Sequence, residues 1–136
     1  MTISDKPTDE RFVFRKTLTV AEQAMFTGIS GNLGPQYVDA TQARKLGFPG
    51  MVSFELAVAA LATTSLAKLG GPKRRITDLA LSFPEVTLVG SSIQAEAEVT
   101  ATEGSTLVCH IRCIHTESGR TVVEGTARLE TFGDKE

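Results

Sequence analysis

Tryptophan is absent from this chain of 136 residues, tyrosine occurs once, and cysteine and histidine occur twice each. Two cysteines cannot build a disulfide framework. On one predicted strand Cys109 and Cys113 would stand roughly 13 Å apart, beyond bridging distance, so both are expected as reduced thiols. The histidines, His110 and His115, fall in the same late strand, where nothing has metal-ligand spacing; no metal and no cofactor is expected. Charge of one sign is also missing. The formal net charge is -2 with acids and bases dispersed, which leaves no electrostatic footprint for nucleic acid or an anionic membrane. No apolar run approaches the length of a membrane span, and Met1 to Glu10 carries charges where a secretory leader needs an apolar core. A soluble cytoplasmic protein is the expectation.

What is present suits one compact domain. An apolar content of 41% at this length buries enough surface to fold without disulfides or metal. Residues 1–11 read as a flexible tail, residues 12–132 as a single domain, and Gly133 to Glu136 as a polar end. Phe12 to Leu18 alternates as a strand does. Thr19-Val20-Ala21-Glu22 has capping-box spacing and opens a helix ending near Gly28. Ser30 to Tyr37, with Gly31, Gly34 and Pro35, reads as a loop. Asp39 then caps a short helix through Leu46, which Gly47 ends. Ser53 is predicted to cap a helix reaching about Leu69, apolar all round and therefore central to the fold. From Arg75 onward the period is that of strands: Ile76 to Phe83 with a continuation toward Val89, Ile93 to Thr102, Leu107 to His115, and Thr121 to Thr131. Ile93, Ala95, Ala97 and Val99 form one packed face. Val123, Gly125, Ala127 and Leu129 form another, whose small members let a second element approach closely. The layout is α+β, an antiparallel sheet wrapped around a long central helix.

The loop Ser30-Gly31-Asn32-Leu33-Gly34-Pro35-Gln36-Tyr37-Val38-Asp39, with Gly47-Phe48-Pro49-Gly50 after it, resembles the signature of the MaoC-like (R)-specific enoyl-thioester hydratases. Their pattern is an Asp, any residue, Asn-Pro, any residue, His, any residue and Asp, then a short helix, Gly-Phe, and His-Gly at the start of the central helix. Asn32 stands at the catalytic Asp, Gly34 at the Asn, Pro35 at the Pro, Tyr37 at the catalytic His and Asp39 at the second Asp. Gly47-Phe48 matches the Gly-Phe, and Ser53-Phe54 falls at the His-Gly. Phe83 with Gly90-Ser91 matches a Phe followed by Gly-Asp, and Gly125-Thr126-Ala127 matches the closing Gly, any residue, Ala. The resemblance spans about Phe12 to Leu129 and implies the hotdog fold, an acyl-coenzyme A or acyl-carrier-protein thioester as substrate, and pairing of chains as a homodimer or higher hotdog oligomer. Some such assemblies instead combine a complete chain with a degenerate one, so a heterodimer with a catalytic MaoC-like chain is the alternative.

Hydration of an enoyl thioester needs a base for water, a proton donor for the α-carbon, and hydrogen-bond donors on the thioester oxygen. Asn32 does not titrate, and Tyr37 is a donor rather than a base at neutral pH. Glu55 is the carboxylate near the start of the central helix. It serves as base or nucleophile if it faces the pocket, and otherwise complements the helix dipole. The candidate catalytic residues are therefore Asn32, Tyr37 and Glu55. The candidate substrate-binding residues are Gln36, Gly50, Ser53 and Phe54, with the helix amides near Ser53 and Phe54 expected to hold the oxyanion. Lys73, Arg74 and Arg75 are either a solvated turn or a contact for coenzyme A phosphate or an acidic carrier protein. A diverged hydratase or dehydratase is the leading expectation; thioester hydrolysis through Glu55 and a non-catalytic subunit are the alternatives.

Overall fold

The computed structural model describes residues 10–132, so most of the expected tail, up to residue 9, and the expected polar end from residue 133 lie outside the described residues. Strand β1 (Arg11–Thr17) begins one residue earlier than the alternation predicts. Arg11 pairs opposite Glu98, and its guanidinium reaches Glu96 at 3.1 Å. Leu18 instead leaves the strand and is buried.

Helix α1 (Val20–Ser30) opens on the predicted capping box at Thr19 and Glu22. It runs past Gly28 and stops at Gly31, whose φ of 73° closes the helix as its amide donates a hydrogen bond to Thr27 O at 2.7 Å. The Thr19 hydroxyl and amide, and then Lys16, hold the exposed Glu22 carboxyl down from an ordinary 4.5 to about 2. A depressed carboxyl stabilises the fold above its unfolded pKa, and that contribution disappears as pH falls from about 4.5 to about 2. Thermal unfolding of Glu22→Gln across pH checks this: the variant is expected to melt below the wild type at pH 7 and to match it at pH 2.

The predicted loop contains a helical turn, α2 (Pro35–Val38), because Pro35 supplies the φ and lacks the amide that a first helical position would leave unpaired. Helix α3 (Ala40–Lys45) is capped as predicted, Asp39 Oδ1 accepting from the Thr41 and Gln42 amides at 2.9 and 3.2 Å. Helix α4 (Glu55–Gly70) has Phe54, not Ser53, at its N-cap, and no side chain caps it. The chain enters α4 from a short extended segment that buries Ser53, as described below.

Strands β2 (Arg74–Ser82), β3 (Ser92–Glu103), β4 (Thr106–His115) and β5 (Thr121–Thr131) complete one antiparallel sheet in the order β1-β3-β4-β5-β2. The predicted continuation of β2 toward Val89 does not form. Ser82 is its last strand residue and Pro84, with no amide to give a ladder, follows. The sheet curves around α4 with Ile93, Ala95, Ala97, Cys109, Ile111, Cys113, Val123, Ala127 and Leu129 buried against Val58, Leu61, Ala62 and Leu66. Ser65, fully buried in this contact, donates to Ala95 O at 2.9 Å. Burial pushes the Cys109 and Cys113 thiols up to about 11 and about 12, which leaves them protonated and weak as nucleophiles.

One expectation is corrected. Helix α4 is not enclosed on every side, since Leu56, Ala60, Thr63 and Ala67 stay exposed. A single sheet layer covers one side of a helix, and the apolar composition of the other side reflects no contact within this chain. No helix among the described residues is long and apolar enough to cross a membrane.

Candidate active site

The start of α4 is fixed by a two-stranded ladder and one glutamine. Met51 to Ser53 runs antiparallel to Thr87 to Val89, with Ser53 N donating to Thr87 O at 2.7 Å, Val89 N to Met51 O at 2.9 Å, and Val52 opposite Leu88. The Val52 amide turns the other way and donates to Gln36 O at 2.9 Å, which draws the signature loop onto this ladder. Gln23 of α1, 6% exposed, ties the same pieces together. Its Nε2 donates to Tyr37 O at 2.9 Å and Val52 O at 2.8 Å, while its Oε1 accepts from the Phe54 amide at 3.3 Å. Replacing Gln23 by alanine leaves two buried backbone groups and one partly buried one without this partner and is expected to cost about 2–4 kcal/mol in urea unfolding.

Within this frame Tyr37 lies flat on Phe54, ring centroids 4.3 Å apart at 18°, and Phe54 is in turn tilted against Phe26 at 5.0 Å. Gly34 makes room for the tyrosine, because a Cβ there would stand 3.0 Å from Tyr37 Cδ2. The phenol donates to Glu55 Oε1 at 2.7 Å. Burial, and then the hydrogen bond and negative charge of Glu55, push the Tyr37 pKa above its ordinary 10. Tyr37 is thus a proton donor through the physiological range, and the carboxylate beside it is the acceptor.

The other predicted residues are placed differently. Asn32 is exposed, and its Oδ1 accepts from the Gly34 amide at 2.8 Å, closing the turn that carries Gly34. Gln36 contributes its carbonyl to the ladder, and Gly50 is half-buried at the approach to it. The expected oxyanion donors need correction. The Ser53 amide is committed to Thr87 O and the Phe54 amide to Gln23 Oε1, so neither is free for a ligand. Helix geometry leaves the next amides, those of Glu55 and Leu56, without intrahelical acceptors, and no side chain caps them. Arg74 is drawn away from the basic cluster by bonds to Gly70 O and Ser105 O at 3.0 and 2.8 Å, and closes the far end of α4.

A cavity of about 280 Å³ adjoins Tyr37, walled by Val20, Ala24, Leu33, Val38 and Met51. It is apolar, with Gln23, Thr27 and the tyrosine as its polar edge. A larger concavity of about 630 Å³ lies beside Arg15, Lys16 and Gln94 and contains none of the candidate residues. His110 is paired with Glu124 at 3.0 Å, and no cluster of potential metal ligands occurs among the described residues. Sequence reasoning missed Gln23 and Thr87. The available signal for Gln23 was an amide side chain placed three residues before Phe26, where the helix turns inward; nothing in the sequence marks Thr87.

Structural comparison finds the same fold in the (R)-hydratase of A. caviae involved in PHA biosynthesis, at 25% identity and a TM-score of 0.84, covering 90% of this chain and 94% of that one. R-hydratase PhaJ1 of Pseudomonas aeruginosa matches at 20% identity and a TM-score of 0.82, covering 89% and 79%. The HadBC (3R-hydroxyacyl-ACP dehydratase) complex of Mycobacterium tuberculosis contains a chain matching at 18% identity and 0.74, covering 88% and 92%. A comparison with curated proteins gives no match. The sequence profile of the MaoC-like domain aligns with residues 4–129. That span takes in the signature loop, the ladder, α4 and nearly all of the sheet around it, and the chain accordingly belongs to the MaoC-like dehydratase family, with the hotdog fold.

Proposed function

We propose that this protein binds an acyl thioester and interconverts its 2-enoyl and 3-hydroxyacyl forms, with Glu55 as the base and Tyr37 as the hydrogen-bond donor that orients it. The observation that carries this reading is the 2.7 Å bond from the Tyr37 phenol to Glu55 at the first turn of the central helix. It restores a carboxylate and a proton donor to a signature whose Asp and His positions hold Asn32 and Tyr37. In hydration, Glu55 takes one proton from water as the water oxygen bonds to the β-carbon. The double-bond electrons move onto the thioester oxygen, and the Glu55 and Leu56 amides at the helix N-terminus donate to it. The α-carbon then takes the proton back from Glu55, which regenerates the carboxylate.

The apolar cavity beside Tyr37 supports an acyl group as the occupant, and its size, just under the usual range for small-molecule pockets, favours a short one. Asn32 acts here through the turn it closes. Gln36, Gly50 and Phe54 shape the entrance and backing of the site, and the acyl carrier is coenzyme A or a carrier protein. An assembly of chains is part of the reading: Leu56 at 60%, Val86 at 50% and Leu79 at 46% are large apolar side chains left exposed, and pairing of chains would cover such surface.

The test is mass analysis of products formed from trans-2-enoyl and saturated coenzyme A thioesters in H₂¹⁸O. Labelled 3-hydroxyacyl thioester supports the proposal. Labelled free acid shows instead that Glu55 serves hydrolysis, and the absence of any product across both panels overturns the reading of an enzyme complete in one chain type.

A further inference from the structure

Behind Glu55 two hydroxyls are buried with no partner. Ser53 is 2% and Thr87 4% exposed, and neither Oγ of Ser53 nor Oγ1 of Thr87 makes a hydrogen bond within the protein. Buried hydroxyls are rarely left this way, because each gives up its bonds to water on folding. Their placement is not accidental to the fold. With Val52 opposite Leu88 and the Ser53 amide on Thr87 O, residues 53 and 87 are themselves opposite one another in the antiparallel ladder, so their side chains project to the same side. They do not bond each other, and both residues line a cavity of about 10 Å³. Val58, Phe83, Val122 and Val123 give it apolar walls, and Glu55 and Glu85 complete the lining. A space of this size admits one water and nothing larger, and two to four polar partners are what a buried water requires. Glu85 is already paired with Arg120 at 3.3 Å. Glu55 has only Oε1 engaged, by Tyr37, which leaves Oε2 to accept.

We propose that Ser53 and Thr87 form a site for a single water that donates to Glu55 Oε2, so that the carboxylate is held from the front by Tyr37 and from behind by this water. Thr87 is then a positioning residue for the base, acting through the water and touching no substrate. This second half rests on the reading of Glu55 as the base; the water site itself does not.

The experiment pairs crystal structures of the wild type and Thr87→Val with their melting temperatures and kinetics. Valine keeps the shape of threonine and removes only the hydroxyl. The wild type is expected to show one water within hydrogen-bond distance of Ser53 Oγ, Thr87 Oγ1 and Glu55, and Thr87→Val is expected to lose it and to melt roughly 3–6 °C lower. Turnover of the enoyl thioester by Thr87→Val is expected to fall roughly 10-fold or more in kcat with KM unchanged, and Thr87→Ser, which keeps the hydroxyl, is expected to recover most of it. A dry cavity, or a Thr87→Val that melts higher because an orphaned hydroxyl has been removed, overturns the water site. Loss of the water without loss of kcat overturns the positioning role alone. If the wild type turns over no thioester, the proposed function fails and the positioning role with it, while the density and the melting shift still decide the water site.

Discussion

Glu55→Gln is expected to lower the rate of enoyl-thioester hydration by roughly 10²–10⁴-fold, the usual contribution of one positioned general base. Glutamine keeps the length of the side chain and an oxygen for the Tyr37 phenol, so the 2.7 Å contact and the stack on Phe54 have no reason to dissolve. What it removes is the capacity to accept a proton. Substrate affinity, measured by calorimetry with a non-reacting saturated thioester, is expected to hold within a few-fold, and the loss to appear in kcat. Tyr37→Phe separates the two members of the pair. It keeps the ring on Phe54 and leaves the carboxylate without its phenolic donor, and the expected loss is smaller because the base itself remains. Since the tyrosine pKa is raised above 10 by burial and by Glu55, the phenol stays a donor throughout the neutral range, and the alkaline side of the pH profile at neutrality owes nothing to its ionisation. A Glu55→Gln protein that works at the wild-type rate removes Glu55 from the chemistry.

Gly125→Ala is expected to destabilise the fold by about 3 kcal/mol or more, lowering Tm by roughly 10 °C, with no contribution from any lost functional contact. Gly125 lies on β5 opposite Leu81 of β2, and the β2 backbone approaches its Cα closely. A Cβ at this position would run into Ala80 O, with the Ala80 carbonyl carbon at 2.9 Å and Leu81 Cα at 3.0 Å. These are backbone atoms in a paired strand and cannot turn aside as a side chain does. The outcome is either displacement of β2 along the pairing from Arg74 to Ser82 or a failure to fold, and circular dichroism melting distinguishes both from the wild type. An alanine variant that melts within a degree or two of the wild type contradicts this account of the β2–β5 contact.

The sequence disclosed those features that one segment determines by itself. The Thr19–Glu22 capping box, the Asp39 cap and the alternation of Ile93, Ala95 and Ala97 all formed, because each depends on local bonding or on the period of one strand. Features that require two distant segments were not legible. The start of α4 shifted from Ser53 to Phe54 because residues 51–53 pair with residues 87–89, a contact no local pattern announces. The same pairing consumed the Ser53 amide and Gln23 consumed that of Phe54, which leaves the amides of Glu55 and Leu56, two residues further along, without acceptors. Glu55 was ambiguous in the sequence because a first-turn acid suits the helix dipole as well as it suits catalysis. Its bond to Tyr37, eighteen residues earlier, is the observation that supports the proposed catalytic role. The exposed side of α4 misled for a related reason: composition reports that a surface is apolar and does not report which chain covers it.

In the proposed function Tyr37 and Glu55 together replace the proton chemistry that the family's Asp and His positions carry. The most direct measurement is the rate of water addition to a short trans-2-enoyl coenzyme A by the wild type, set beside the Asn32→Asp/Tyr37→His double variant. The account predicts that the wild type forms the 3-hydroxyacyl thioester without those substitutions and loses that activity in Glu55→Gln. A silent wild type beside an active double variant would contradict it, showing a binding site that has kept its shape and given up its acid–base pair.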